Sequence, residues 1–271
     1  MLPDLSGPAL PAAVLVRGVA STMQRCLREG PHEALPIDVD RARDQHAGYV
    51  RAVRSLGIEV HELPADDACP DCCFIEDTAV VLGKAAVITR PGAASRRPEV
   101  VPVARVLERW CEIHRMQEPA TLDGGDVLCA GRTLFVGISA RTNSQGAEFL
   151  ARIAEMEGTQ TVTIPVEGAL HLKSLCTLAG PRLLLHTRVL DPAPFLARGL
   201  GCRIVPDPQG ANVLTLGQTV LVSASHPATS DMISRGLGLG TLAVDVSEFH
   251  KADGALTCLS IRIPAAGCWC A

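Results

Sequence analysis

The sequence predicts an α/β fold, a five-bladed α/β propeller of pseudo-five-fold ββαβ-type repeats. Three observations carry that prediction. A hairpin-like pattern recurs along the chain, a helix–strand unit recurs between the hairpins, and two apolar segments near the ends remain that can pair with each other. The hairpins read EDTAVVLGKAAVIT at 76–89, GDVLCAGRTLFVG at 125–137, SLCTLAGPRLLLHT at 174–187 and ANVLTLGQTVLVS at 211–223. Their turn glycines, Gly83, Gly131, Gly180 and Gly217, are spaced by 48, 49 and 37 residues. Short β-rich runs broken by a glycine turn are hairpin signals.

The helix–strand units follow in order. Asp38 suits an N-cap, and Val39, Ala42, Tyr49, Val50, Val53 and Leu56 follow at helical spacing. Gly57 ends that helix and IEVHEL (58–63) is the strand. The second unit runs through VARVLERW (103–110) to CEIHRM (111–116), the third through AEFLARIAEMEG (147–158) to TVTIPV (161–166). The fourth is PFLARGLG (194–201) with CRIVP (202–206), the fifth SDMISRGLGLG (230–240) with TLAVDV (241–246). The terminal segments AAVLVRG (12–18) and LTCLSIRI (256–263) supply a fifth hairpin. An ordinary α/β sandwich with coincidental glycines is the competing architecture. The order of elements repeats together with the glycines, which favours stacked units that bury jointly what none buries alone. Joining the two ends closes the ring and is expected to remove exposed sheet edges. The expectation is one domain over 1–271, without a linker, with helices outside and a channel on the axis.

Composition narrows the function classes. Apolar residues at 47% and charged residues at 20% describe a globular chain rather than a disordered one. Aromatics at 3% leave few rings for stacking bases, and a net charge of −4 gives no polybasic surface for nucleic acid or membrane. No apolar run approaches the roughly 18 residues of a membrane span. The first basic residue is Arg17, so the start of the chain lacks the charged region of a secretion signal, and a cytoplasmic location is expected. Eleven cysteines, an odd number in a chain of this length, argue against a full disulfide framework; most are expected to be reduced thiols.

In a ring of repeats, equivalent positions face one axis. The segments leading into the hairpins contain Asp71, Glu76 and Asp77, then Asp123 and Asp126, then His171 and Lys173, then Asp207 and Asn212, and finally Cys258. That gathers acids, an imidazole and a thiol around one small volume, the pattern of a nucleophile with a base. Each residue also has an ordinary reading: a packed strand cysteine, a satisfied core histidine, an aspartate capping the turn before Gly124 and Gly125. Their common phase in different repeats favours the functional one.

These residues lie in ELPADDACPDCCFIEDTAVV (62–81), AVITRPGAASRRPEV (86–100), ATLDGGDVL (120–128), FVGISARTNSQGAE (135–148), LHLKS (170–174) and KADGALTCLS (251–260), with DQHAGYVRAV at 44–53. From about residue 14 to 263 the chain resembles the dimethylarginine dimethylaminohydrolases, members of the guanidine-modifying superfamily with arginine deiminases and amidinotransferases. The resemblance implies the pentein fold, the five-bladed propeller already inferred. It implies hydrolysis of Nω-methylated arginine to citrulline and dimethylamine or methylamine. Cys258 would be the nucleophile, His171 general acid and then base, and Asp123 the polarising group, either through His171 or by bonding a guanidinium nitrogen. Asp71, Glu76 and Asp77 would hold the guanidinium. Arg96 and Arg141 would bind the substrate α-carboxylate. A lid at about 21–27 would contact substrate through Leu27, and the Ala252 backbone would touch it before the nucleophile.

The resemblance implies no cofactor, although zinc can inhibit such enzymes at the positions of Cys258 and His171. Cys69-x-x-Cys72-Cys73 offers half of a zinc site, with no convincing second half in Cys268-x-Cys270. The expected partner is a small guanidino substrate, with no nucleic acid or membrane, in a monomer or homodimer. The other readings are an arginine deiminase-like or other guanidino hydrolase, a catalytically silent binding relative, and a thiol-rich metal or redox protein. Arginine deiminases generally carry an extra helical domain, which favours the methylarginine hydrolase. The biological purpose stays open between nitrogen scavenging and control of methylarginine levels, the second being the route to nitric oxide regulation.

Overall fold

Asp38 accepts the Arg41 N–H at 3.0 Å, satisfying one of the free donors at a helix start, and α1 (Val39–Ser55) follows. The structure, a computed structural model, describes residues 10–29, 34–180, 183–207, 209–265 and 268. The first blade is β1 (Ala13–Arg17), α1 and β2 (Glu59–Leu63). The second is β3 (Ala79–Leu82), β4 (Ala85–Ile88), α2 (Val100–Leu107) and β5 (Glu112–Arg115). The third is β6 (Val127–Ala130), β7 (Thr133–Ile138), α3 (Ser144–Met156) and β8 (Gln160–Pro165). The fourth opens with the single turn α4 (Leu172–Leu175) before β9 (Cys176–Ala179), β10 (Leu183–His186), α5 (Ala193–Leu196) and β11 (Gly201–Ile204). The fifth is β12 (Leu214–Leu216), β13 (Thr219–Ser223), α6 (Pro227–Leu237) and β14 (Gly240–Val244). A last turn, α7 (Ser247–His250), leads to β15 (Ile261–Ile263).

Every blade is the same three-stranded sheet. An antiparallel hairpin is extended by a strand parallel to its second member, which the helix reaches by crossing over. The terminal strands complete the first blade as anticipated: β15 runs antiparallel to β1, with Ala13 opposite Ile263, and β1 pairs parallel with β2. The four hairpin glycines have φ between 55° and 73°, the left-handed region these tight turns require.

Strand alternation makes the ring. Ala13 and Leu15 point into a core shared with the second blade, and Val14 and Val16 into one shared with the fifth. Ala79 and Val81 face the first blade, while Val80 and Leu82 face the third. Leu128 and Ala130 pack against Cys176 and Leu184 of the fourth blade, whose Ala179 and Leu185 pack against Val220 and Val222 of the fifth. Five apolar cores therefore sit between successive blades, and each fully buried aliphatic side chain contributes about 1.5–3 kcal/mol relative to exposure.

Three expectations need correction. The five sheets stay separate, each with its own outer edge, so ring closure does not remove edges; β2, β5, β8, β11 and β14 are edge strands, and exposed or half-buried positions such as Glu59 and Glu112 give them a polar outer side. The fourth helix is only Ala193–Leu196, too few residues to cover its blade, and Leu196 and Ile204 are exposed there. The second helix begins at Val100, directly after a 3₁₀ turn over Ala94–Glu99, and ends at Leu107 rather than Trp110. Among the described residues no helix is long and apolar enough to cross a membrane. The described cysteines are free thiols except Cys129, which is disulfide-bonded; Cys270 of the Cys268-x-Cys270 motif lies outside the described residues.

Candidate active site

The turns entering the hairpins converge at one end of the axis. They are the 3₁₀ turns Ile75–Thr78, Gly124–Asp126 and Thr257–Leu259, and the single turn α4 that follows His171. Two glycines permit the approach: a Cβ on Gly124 would lie 2.0 Å from the Glu76 carbonyl oxygen, and one on Gly125 would lie 2.6 Å from His171 Nδ1. The LDGGD run is thus a packing requirement as well as a turn. Here opens a cavity with about 440 Å³ of space that is continuous with solvent.

Cys258, His171 and Asp123 all line this cavity. His171 Nε2–H donates to Asp123 Oδ2 at 3.0 Å, and the other Asp123 oxygen accepts the Gly92 N–H at 2.9 Å. Of the two partners open to Asp123, it is paired here with the imidazole. Burial alone would push His171 down. Asp77, the hydrogen-bonded Asp123 and Asp126 together lift it instead, from 6.5 to about 9, so the ring carries a proton at neutral pH. Cys258 is half-buried at the cavity wall. Burial first, then the Glu76 and Asp77 carboxylates, push its thiol up to about 12.

Asp71 and Asp77 also face the cavity. Asp77 accepts from Gly125 N–H at 2.8 Å and from Arg96 Nη1 at 2.5 Å. Burial opposes its charge, but His171 and Arg96 outweigh that and hold the carboxyl below its usual range. Asp71 accepts the Leu27 N–H at 3.0 Å and is raised, chiefly by burial. Leu27 and Ala252 line the same cavity.

Two of the anticipated substrate contacts change character. Glu76 does not reach the cavity. Consecutive residues of a 3₁₀ turn point in different directions, and Glu76 turns across the axis to Lys173 Nζ at 2.5 Å, with Thr257 Oγ1–H donating to its other oxygen at 2.9 Å. It lines a second cavity of about 410 Å³ with Lys173 and Arg262. Arg96 does reach the first cavity, yet its guanidinium is committed to Asp77, to both oxygens of Glu99 and to the Phe74 carbonyl. Arg96 thus bridges Glu99 and Asp77 and fixes the second at the cavity wall. Arg141 lines the cavity with its Nη2 on Glu29 Oε1 at 2.5 Å.

Other axis residues are structural. Asp207 accepts from Thr229 N–H and Oγ1–H at 2.7 and 2.9 Å, away from the cavity. Asn212 ties the Cys258 turn down, donating to Thr257 Oγ1 and the Lys173 carbonyl and accepting the Thr257 N–H. Residues passed over in the sequence also line the cavity: Glu29, Phe74, Leu170, Asp253 and Gly254. Asp253 accepts the Glu29 N–H at 2.7 Å and has a φ of 56°. The aspartate–glycine pair at 253–254 was the available signal for that bend. Glu29 had none, because its partner Arg141 is 112 positions away.

Among the described residues, the group whose donor atoms lie close enough to share a metal ion is Asp77, Asp123 and His171. It does not include Cys258, although Cys258 and His171 line the same cavity. Cys69 and Cys72 pack with Ala20 as small apolar side chains, and with Cys73 form no such group.

Sequence and fold comparisons agree. The arginine deiminase family model matches residues 67–182. The N(G),N(G)-dimethylarginine dimethylaminohydrolase of Streptomyces coelicolor is 40% identical over 230 residues, covering 84% of this chain and 88% of that protein. The protein of the same name from Pseudomonas aeruginosa is 32% identical over 255 residues, covering 90% and 98%. The Pseudomonas aeruginosa enzyme solved as a cysteine-to-serine mutant complexed with citrulline superposes with a TM-score of 0.88 at 29% identity, covering 94% of this chain and all of that one. The five-bladed fold, the thiol-lined cavity and these identities lead to one conclusion: the chain belongs to the dimethylarginine dimethylaminohydrolase family.

Proposed function

We propose that the protein hydrolyses Nω-methylated arginine to citrulline, releasing dimethylamine or methylamine, with the chemistry at Cys258. The observation that carries this reading is the meeting of a thiol, a protonated imidazole paired to a carboxylate, and two further aspartates in one cavity. The guanidinium carbon is planar and resonance-stabilised, so water attacks it poorly, and a thiolate divides the reaction into two easier steps.

Each step balances. A methylated guanidinium settles between Asp71 and Asp77, and its positive charge offsets the carboxylates that hold the Cys258 thiol up. The Cys258 proton leaves to solvent and the thiolate sulfur bonds to the guanidinium carbon. The bond from that carbon to the methylated nitrogen breaks as His171 delivers its proton to the departing amine. A thiouronium remains on Cys258. Neutral His171 takes a proton from water, the hydroxide adds to the same carbon, and as the carbon–sulfur bond breaks the hydroxyl proton passes to the departing sulfur, giving citrulline and the Cys258 thiol. Asp123 keeps the imidazole oriented and charged. Arg141 anchors the substrate carboxylate after releasing Glu29; Arg96 acts through Asp77 and offers the carboxylate a second contact. Leu27 and the Ala252 backbone close over the substrate.

The whole chain, 1–271, acts in this reading as a single catalytic domain that needs no cofactor. The free thiols Cys26, Cys69, Cys72 and Cys73 suit a cytoplasmic setting, with the disulfide-bonded Cys129 as the exception, and a monomer or homodimer is the expected assembly. The test is a substrate panel of asymmetric dimethylarginine, monomethylarginine and arginine with the purified chain. Citrulline from the methylated substrates is expected. Preference for arginine would move the reading to a deiminase, and no citrulline from any of the three would sink the enzymatic one.

A further inference from the structure

Asp126 lies under the cavity rather than in it, fully buried, and the chemistry above does not use it. Its two oxygens nevertheless reach three parts of the site. Oδ1 accepts the N–H of Leu172, the residue after His171, at 2.8 Å. Oδ2 accepts two hydroxyls, Thr142 Oγ1–H at 2.6 Å and Ser139 Oγ–H at 2.7 Å. Those hydroxyls pass the contact on. Thr142 Oγ1 accepts the Asp123 N–H at 3.1 Å, and Ser139 Oγ accepts the Arg141 N–H at 3.0 Å. The room is specific: a Cβ on Gly137 would fall 2.6 Å from Asp126 Oδ1.

We propose that Asp126 is the positioning residue of the site, one carboxylate that sets the register between the His171–Asp123 pair and the Arg141 anchor. The proposal rests on the reading of Arg141 and His171 given above. A buried carboxylate with three donors is an acceptor only, so it fixes which way both hydroxyls point. Each hydroxyl then turns its lone pairs to the backbone: Thr142 Oγ1 to the Asp123 N–H, Ser139 Oγ to the N–H groups of both Arg141 and Thr142. The backbone positions of the proton donor, its carboxylate and the carboxylate anchor are thereby referred to a single group. This matters because misplacement by about 1 Å in such a constellation reduces rate about 100-fold.

The arrangement has two arms, joined where the Thr142 N–H donates to Ser139 Oγ at 3.1 Å, and they give the test. Steady-state kinetics on monomethylarginine would be measured for wild type, Thr142→Val, Ser139→Ala and Asp126→Asn. Thr142→Val cuts the arm to Asp123 and should lose about tenfold, mostly in kcat; Ser139→Ala removes the acceptor of the Arg141 and Thr142 N–H groups and should lose about tenfold, mostly in KM, with a smaller fall in kcat. Asp126→Asn should lose in both, about 100-fold. If it does not fold, the two hydroxyl variants still decide. A readout without turnover is the ¹⁵N titration of His171, whose charged neighbours are Asp77, Asp123 and Asp126. Asp126→Asn should move it to lower pH. Equal kcat and KM losses in both hydroxyl variants, or none, with an unmoved titration would overturn the proposal. A wild type inert on the whole substrate panel would overturn the functional reading, while the titration would still judge Asp126.

Discussion

The two ends of the axis are built from the same turns and do opposite things with charge. On the far side, Glu76 meets Lys173 and Thr257, so the acid and the ammonium complement each other within the protein. On the cavity side, Asp71, Asp77 and Asp123 stand around His171 and Cys258, and the chain's own cations are partly committed elsewhere, Arg96 to Glu99 and Arg141 to Glu29. A satisfied buried pair locks blades together. An anionic cavity lifts an imidazole to about 9, adds to the burial that pushes a thiol up to about 12, and awaits a cation. The neighbours Glu76 and Asp77 belong one to each side, so a single peptide step divides scaffold from chemistry.

The contrast can be broken most severely at Cys258. Cys258→Ser should reduce citrulline formation on the order of 10³-fold or more without lowering the melting temperature, since a hydroxyl replaces a thiol in the same volume. Retained activity would remove the sulfur from the mechanism. Next is the far side. Glu76→Gln leaves the buried Lys173 ammonium without its partner and should lower unfolding free energy by about 3–5 kcal/mol, and adding Lys173→Met should restore much of it. Denaturant unfolding measures this. KM in the single variant should stay within about twofold, because Glu76 does not line the cavity. A tenfold rise in KM would place Glu76 with the substrate after all.

The smallest expected effect is a titration. His171 in the free protein should titrate at about 9 rather than 6.5, and Asp77→Asn should lower that value by removing its largest attraction. The folded value is raised, so the stability contributed by the charged ring is complete below about pH 6.5 and is lost as pH rises through 9. General-acid competence in the free protein is lost only as pH rises through about 9. A ring titrating below 7 by ¹⁵N NMR would contradict the charge balance described for the cavity.

The hairpins, the order of helices and strands, and the joining of the ends were legible because each rests on local pattern: alternation, a glycine turn, an N-cap such as Asp38. The short fourth helix was not, because PFLARGLG has the composition of a helix but ends after one turn, with the left-handed Gly199 just beyond it. At the site, Cys258, His171 and Asp123 were legible because the repeat brings equivalent turns to one axis. The roles of Glu76, Arg96 and Glu29 were not, since each depends on a partner that sequence does not order.

By itself the sequence determined the repeat, the closure through 12–18 and 256–263, and the kinds of groups that face the axis. Only the tertiary structure decided which end of the axis each group serves, that Arg96 is shared between Glu99 and Asp77, and that Asp126 stands beneath the site. The reason is physical. Periodicity encodes which residues are buried, but the direction of a side chain within a tight turn, and the charge that meets it there, are settled by whichever blade packs against it.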